Sequence, residues 1–449
     1  MNPDVVIIGA GIVGCSCAFY LSQLVVKVHL VDKGPVGSGA SKAGMLHIVT
    51  WEEPEIHLKL AAHSKKLYEQ LSQQLPMDIN FRITGSIAIV EKSESMVGFS
   101  QTIQNLQEFG VKAVLLSGAD LVKMEPNITP YVAGGGFFPD DAQVNPLYTT
   151  LALARAAKDA GAIIDPFNEV TGFELTADKN RVTAVLTAHG RIPTNSVVIC
   201  AGAWSGEIGQ LTGLDIPIKP RKGTLVVTSP VQEDMINCKV VLAAGYMDSV
   251  KSGVGSGVSI AANIQQTKNG NLVIGSSQQF SGFDKSVDPM IVASMLKRCL
   301  RFFPILADVS AIHTWAVFRP YTPDLLPIIS PVEQISGMYN GARHEGIGIT
   351  EGSITGKLIS QMITGQVTEF PTSELNFSRF LKKKSTSYQT QGELSWETNI
   401  REFSRFYVLL LMKMEKWMKL PCGTIFAGWW MIARWTGSSH AAAQVNLHS

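Results

Sequence analysis

The chain has 449 residues, 45% hydrophobic and 17% charged, with a formal net charge of +1. At roughly 100–200 residues per domain this length supports two or three cores, and the low charge with 40 glycines and only 21 prolines excludes a disordered or low-complexity protein. Balanced charge excludes nucleic acid as the main partner, because phosphate binding needs a concentrated basic surface.

Cys15, Cys17, Cys200, Cys238, Cys299 and Cys422 contain no CxxC pair. Neither a disulfide scaffold nor a metal site is expected, and the setting expected is reduced and cytoplasmic. Met1-Asn2-Pro3-Asp4 lacks the basic start and long apolar core of an export signal.

Val5-Val6-Ile7-Ile8 has the β-branched composition of a buried parallel strand, and Gly9-Ala10-Gly11-Ile12-Val13-Gly14 follows at once. Ala18, Leu21 and Leu24 then recur at helical spacing, and Lys27–Val31 reads as a second strand ending at Asp32. Gly9 makes the tight turn, Gly11 lets a pyrophosphate approach bare backbone, and Gly14 allows helix to pack closely on strand. The helix N-terminus, with Ile12 and Val13, presents free N–H groups to phosphate. Asp32, 18 residues beyond Gly14, is placed to accept from a ribose and disfavours a 2′-phosphate. The unit predicts dinucleotide binding and leaves NAD and FAD both open.

A small-residue loop follows, from Lys33 through Ser41, Ala43, Gly44 and Met45 to Leu46, of a length suited to pass beneath a bulky ring system. Apolar Ile48, Val49 and Trp51 come next, so this segment is expected to be packed. Leu147, Leu151, Leu153, Ala154 and Ala157 predict a helix over residues 146–160. Strands are expected at 162–170, 182–186, 197–201, 224–228 and 271–274. In Trp315–Asp324, Arg319 lies in an apolar stretch directly before Pro320. A guanidinium offers a fork for bidentate binding of a carboxylate, and the competing reading pairs Arg319 with Asp324. Further on, Gly341, Gly346 and Gly348 free backbone for a ligand, and a helix beginning near Thr350 points its positive end back at them. This third glycine-rich loop favours FAD over NAD.

The segment Ala43-Gly44-Met45-Leu46 resembles the flavin-contacting stretch of the D-amino-acid oxidase superfamily, close to glycine and sarcosine oxidases. Gly136-Phe137-Phe138-Pro139-Asp140 leading to Val144-Asn145-Pro146, Val197–Ser205, Pro220-Arg221-Lys222-Gly223 and Gly270–Gly275 extend the resemblance to about residue 380. The last block, with His344–Thr350, is most similar to the branch of hydrogen cyanide synthase, opine oxidase and proline or hydroxyproline dehydrogenase flavoprotein subunits. Glycine oxidases carry a Tyr and a Pro-Arg where this chain has Ile264-Gln265-Gln266-Thr267, a departure from glycine oxidase proper.

The resemblance implies an α/β (α+β overall) protein. A Rossmann-like FAD-binding domain (residues 1–80, 140–220 and 330–370) is interleaved with a mainly antiparallel-sheet substrate domain (81–139 and 221–329). It implies cofactor contacts from Gly9, Gly11, Ile12, Val13 and Gly14, from Asp32 and Lys33, and from Ser41, Ala43, Gly44 and Met45. Val170, Ala201, Gly202 and Trp204 are implied as well, with Gly346, Ile347, Gly348, Ile349 and Thr350. The family's covalent forms use Cys or His where this chain has Arg319-Pro320 or Ser41-Lys42, so FAD is expected to bind non-covalently. Arg319 is the implied carboxylate holder, with Tyr321 and His344 as further catalytic candidates and no metal. The implied reaction is oxidation of the C–N bond of an amino acid or small amine to an imine. A 2-hydroxy acid dehydrogenase and a FAD-binding subunit of a multisubunit dehydrogenase are the alternatives.

Residues 381–449 fall outside the resemblance. Lys382-Lys383-Lys384 opens this tail, which holds five of the eight tryptophans. Its apolar runs are shorter than the ~18 residues of a membrane span. Trp and Lys together predict an interfacial helix or a partner-docking face, so a partner subunit or peripheral membrane-surface contact is expected there.

Overall fold

Strand Val5–Ile8 is buried along its whole length, and its residues alternate between two cores. Val5 and Ile7 point into one cluster with the helices, while Val6 and Ile8 point into another on the opposite face. Burial on both faces is why the segment is uniformly β-branched. It pairs in parallel with Val28–Asp32 on one side and Val197–Ile199 on the other. Ile163–Pro166 extends the sheet beyond Val28–Asp32, and Met338–Ala342 and then Ile328–Pro331 extend it beyond Val197–Ile199. Five of the six strands run parallel, and Ile328–Pro331 closes the edge antiparallel.

Helices Ile12–Gln23, Glu55–Gln74, Pro146–Asp159 and Gly348–Thr364 supply apolar side chains to the first core. The antiparallel meander Val170–Leu175, Val182–Thr187 and Gly190–Pro193 covers the other face through Val182, Val185 and Ile192. Asn145 starts the helix at Pro146 as an N-cap, accepting from the Tyr148 amide at 3.0 Å.

An eight-stranded sheet forms the second layer system, in the order 311–321, 219–230, 271–278, 259–266, 239–242, 86–90, 134–138 and 114–117. Every pairing in it is antiparallel except that of Lys239–Leu242 with Ser86–Val90. Helix Pro289–Phe302, capped by Asp288, packs Val292, Met295, Cys299 and Phe302 onto Val226, Ile264, Leu272 and Ile274.

The computed structural model describes residues 2–242 and 258–381, which lie within one compact unit, Met1–Lys384. The expectations for the tail, and for Cys422, fall outside the described residues. Among the described residues no helix is long and apolar enough to cross a membrane.

Several boundaries differ from expectation. The strand expected at 162–170 is two strands, Ile163–Pro166 in the parallel sheet and one starting at Val170 in the meander, divided at Phe167, whose φ is +61°. The loop after Asp32 contains a helical turn, Ala40–Ala43. The last helix begins at Gly348, two residues before Thr350, so Gly348 itself stands at its N-terminus.

Candidate active site

The first helix starts where the glycine turn ends. Gly9 has φ +110°, and a Cβ there would lie 2.4 Å from the Cys200 carbonyl oxygen. A Cβ at Gly14 would lie 1.9 Å from the Gly9 carbonyl, so only glycine permits this packing of helix on strand. The Asp32 carboxylate ties the turn to the second strand, accepting from the amides of Ala10 and Gly34 at 2.7 Å each. Burial raises its pKa above the usual carboxylate range, and the two amides oppose that. Each oxygen retains lone-pair capacity for a ribose hydroxyl.

Helices Ile12–Gln23 and Gly348–Thr364 cross closely because two glycines, four residues apart on one face, remove side chains from the contact. A Cβ at Gly352 would meet Ile12 at 2.9 Å, and one at Gly356 would meet the Ser16 Cβ at 2.4 Å. The crossing brings Gly11 and Gly348, at the two N-termini, into the lining of one cleft. Neither N-cap residue, Gly11 or Ile347, supplies a side-chain cap, and the Ser41 hydroxyl reaches across to accept from the Ile12 amide at 2.9 Å. Unsatisfied N–H groups and two helix dipoles therefore converge at one place.

That cleft has a volume of about 600 Å³. It is lined by Gly9, Gly11, Ile12, Val13, Asp32, Lys33, Ser41, Val170, Ala201, Gly202, Trp204 and Gly348 from the predicted cofactor set, together with His344. Methyl groups at Gly39 or Gly202, both in the lining, would meet no atom within 4 Å and would project into open space. A narrow cleft with bare glycines, helix N-termini and a terminal acid fits an extended dinucleotide. Lys33 lies over the Trp204 ring at 4.6 Å, and Trp204 stacks on Phe283 at 5.0 Å, forming an aromatic wall.

A smaller chamber of about 90 Å³ adjoins the cleft and shares Ile12, Ala40, Ser41, Glu345 and Gly348 with it. Gly44, Met45, Gly346 and Ile349 line it on one side, and the eight-stranded sheet supplies Leu225, Asn263, Ser276, Val317 and Arg319 on the other. Arg319 is almost fully buried, and its guanidinium donates to the Ser277 carbonyl at 3.0 Å and to the Ser276 hydroxyl at 2.6 Å. It reaches them across strand Lys219–Pro230 because residue 223 is glycine: a Cβ there would lie 2.5 Å from Arg319 Nη1. Asp324, the alternative partner considered for Arg319, pairs with Arg379 at 2.6 Å. Among the described residues Arg319 has no ion-pair partner, so its charge faces the chamber uncompensated.

Other predicted residues sit elsewhere. Tyr321 lines neither cavity; its ring packs edge-on against Phe280 at 5.0 Å and lies under the Arg221 guanidinium. His344 lines the nucleotide cleft, not the Arg319 chamber, and shares a 2.8 Å hydrogen bond with Thr355. Burial pushes its pKa down to about 4, so it is neutral near pH 7 and offers no cation to a carboxylate. Ala43 accepts from the Trp315 indole at 2.9 Å through its carbonyl, and Thr350 accepts from the Val49 amide at 3.2 Å. Ile347 lines a third cavity of about 410 Å³ beyond the 343–347 loop. That loop holds Arg343 and Glu345 at φ +68° and +43°, left-handed conformations unusual for non-glycine residues.

Sequence reading missed Asn263, Gly223 and Glu345. Glu345 lines all three cavities and pairs with buried Arg221 at 3.4 Å. The glutamate inside the glycine-rich 341–348 segment was the available signal.

Comparison with known proteins places this geometry. The profile of the family described as FAD dependent oxidoreductase (DAO) matches residues 4–362. Hydrogen cyanide synthase subunit HcnC of Pseudomonas protegens is 27% identical over 424 residues, covering 84% of this chain and 96% of that protein. Glycine oxidase of Geobacillus kaustophilus is 27% identical over 389 residues, covering 85% and 98%. Among solved structures, L-proline dehydrogenase from P. horikoshii superposes with a TM-score of 0.77 at 25% identity, covering 85% of this chain and 98% of that one. With its family profile spanning both the nucleotide cleft and the Arg319 chamber, the chain belongs to the DAO family of FAD-dependent oxidoreductases.

Proposed function

We propose that this enzyme oxidises the C–N bond of a small amino acid or amino-acid-like amine to the imine, which water then hydrolyses. The observation that carries the reading is Arg319, a buried guanidinium held, among the described residues, by the neutral oxygens Ser277 O and Ser276 Oγ, in a chamber next to the nucleotide cleft. Neutral acceptors orient the fork without consuming its charge, leaving it for a substrate carboxylate. The similarity to glycine oxidase and L-proline dehydrogenase, each named for an amino acid, supports the same class.

FAD, when bound, supplies the hydride acceptor. Gly9, Gly11 and the N-terminus at Ile12 would hold its phosphates, and Asp32 its ribose. The helix beginning at Gly348 aims its positive end at the Gly346–Gly348 backbone, where it stabilises negative charge. Arg319 fixes the carboxylate so that the α-carbon lies between the strand floor and the Gly44–Met45 loop, which is catalysis by alignment. His344, neutral and bonded to Thr355, keeps the loop in register with its helix.

The test is anaerobic reduction of the purified yellow protein by a panel of amino acids, their decarboxylated amines and 2-hydroxy acids. Bleaching by amino acids, with decarboxylated amines far slower, is the expected result. Bleaching by hydroxy acids alone would overturn the reading.

A further inference from the structure

The sheet face that closes the chamber carries a second polar group, Asn263, whose amide oxygen has no hydrogen-bond partner among the described residues. Asn263 sits on strand Ser259–Gln266 directly opposite Gly275, which in turn sits opposite Leu225 on strand Lys219–Pro230. Residues directly opposite across a sheet share a face. Leu225 and Asn263 both line the chamber, and Gly275 lies between them in register, where a Cβ would meet the Leu225 side chain at 3.3 Å and the Met45 sulfur at 3.6 Å. The next residue along from Gly275 is Ser276, whose hydroxyl holds Arg319 at 2.6 Å. Asn263, Ser276 and Arg319 thus line the same chamber.

Asn263 is 6% exposed, and its Oδ1 has no hydrogen-bond partner among the described residues. A buried amide oxygen without a partner is rare and costly unless a ligand completes it. His47, on the opposite wall after the Gly44–Met45 loop, likewise presents a buried Nδ1 without a partner among the described residues. Burial and the charges of Lys239 and Arg319 hold its imidazole neutral, so this nitrogen can accept.

We propose that Asn263 Oδ1, assisted by His47 Nδ1, accepts a hydrogen bond from the substrate's amine, so that the enzyme selects primary or secondary amines over tertiary ones. The inference rests on the amino-acid reading above. In an α-amino acid two bonds separate the nitrogen from the carboxylate carbon, so a carboxylate on Arg319 keeps the nitrogen within the same small chamber. Hydride loss from the α-carbon requires the amine unprotonated. A neutral primary or secondary amine still carries an N–H to donate, and a neutral tertiary amine has none. The tertiary substrate would leave Asn263 desolvated and unpaired, and sites built around such a bond discriminate strongly against analogues that lack it.

The experiment takes the holoenzyme and the best amino acid of the panel with its N-methyl and N,N-dimethyl derivatives, and measures the rate of anaerobic flavin bleaching. The first two should bleach at rates within about tenfold of each other and the tertiary amine roughly 100-fold more slowly. Asn263→Leu should slow the N–H substrates by roughly 10- to 100-fold, leave the tertiary amine no slower, or faster once the unpaired amide is gone, and so compress the ratio, an outcome that general damage to the fold would not produce. Equal bleaching by all three compounds in the unmodified enzyme would overturn the proposal while leaving amine oxidation intact. A uniform slowing of all three by Asn263→Leu would overturn it too. Bleaching by hydroxy acids and by no amine would overturn the underlying reading, and this inference with it.

Discussion

Replacing Gly223 by alanine should separate alignment of the substrate from stability of the fold. A Cβ at this position would lie 2.5 to 2.7 Å from three atoms of the Arg319 guanidinium, and those are its three nearest neighbours. None of these three is a backbone atom, so the strand can accept the methyl group if the tip of Arg319 moves aside. Alanine is also preferred to glycine within a strand by about 0.5–1 kcal/mol, which offsets only part of the hydrogen bonding that Arg319 gives up, so the melting temperature should fall by about 2–5 °C with the protein still folded. What is lost is the pair of bonds from Arg319 to Ser277 O at 3.0 Å and Ser276 Oγ at 2.6 Å. Hydrogen bonds of a charged group contribute about 1.5–3 kcal/mol each, and part of that returns when the displaced guanidinium finds new partners. A displaced guanidinium no longer makes its paired bonds to the substrate carboxylate, and a loss of about 2–4 kcal/mol there corresponds to a fall of roughly 30- to 1,000-fold in kcat/KM for the carboxylate substrate. Decarboxylated amines, which do not use the clamp, should be turned over as before, and the flavin should stay bound. Steady-state kinetics on both substrate types, with a melting curve and a visible spectrum, make the measurement. A variant with kcat/KM within twofold of the parent, or one that loses both substrate types equally, would refute the positioning role assigned to Gly223.

Asp32→Ala removes the acceptor for the Ala10 and Gly34 amides and the ribose contact, so FAD affinity should drop roughly 10- to 100-fold; full flavin content after extended dialysis would contradict this. Gly356→Ala places a methyl group 2.4 Å from the Ser16 Cβ and 2.6 Å from the Ser16 carbonyl carbon, so the helix pair must separate at a cost of about 1–3 kcal/mol. The melting point and flavin content should fall together, and an unchanged melting point would count against the close crossing. Glu125 is fully buried, and burial raises its pKa from 4.5 to about 7 although it accepts from the Asn237 and Cys238 amides. Its folded state holds the proton more tightly than the unfolded chain, so its contribution is complete below pH 4.5 and is lost as the pH rises through about 7. That span is worth on the order of 3 kcal/mol. Glu125→Gln should therefore gain stability over the parent at pH 8 but not at pH 4.5, and a difference in urea midpoints that ignores pH would dispose of the argument.

Much of the cofactor half is legible in the residue order because its determinants are local. The β-branched run at Val5–Ile8, the glycines at 9, 11 and 14 and the acid at 32 lie within one βαβ unit, where strand period and glycine conformation fix the backbone. Arg319 could be singled out as well, since an arginine in an apolar stretch before proline is conspicuous. Its partner could not: both Asp324 and a substrate carboxylate were open until Asp324 was found on Arg379. Tyr321 and His344 were candidates by proximity in sequence, yet side-chain direction carries one under Arg221 and the other toward Thr355.

The order of residues by itself determined the nucleotide fold, the glycine turn and the identity of the buried cation, because each depends on neighbours a few positions away. Only the tertiary structure decided that Gly223 makes room for Arg319, that Gly352 and Gly356 draw two helix N-termini together, and that Asn263 shares a chamber with Arg319. Those facts are set by sheet register and helix crossing between segments distant along the chain. A glycine or an asparagine carries no mark of what will lie opposite it until the strands have paired.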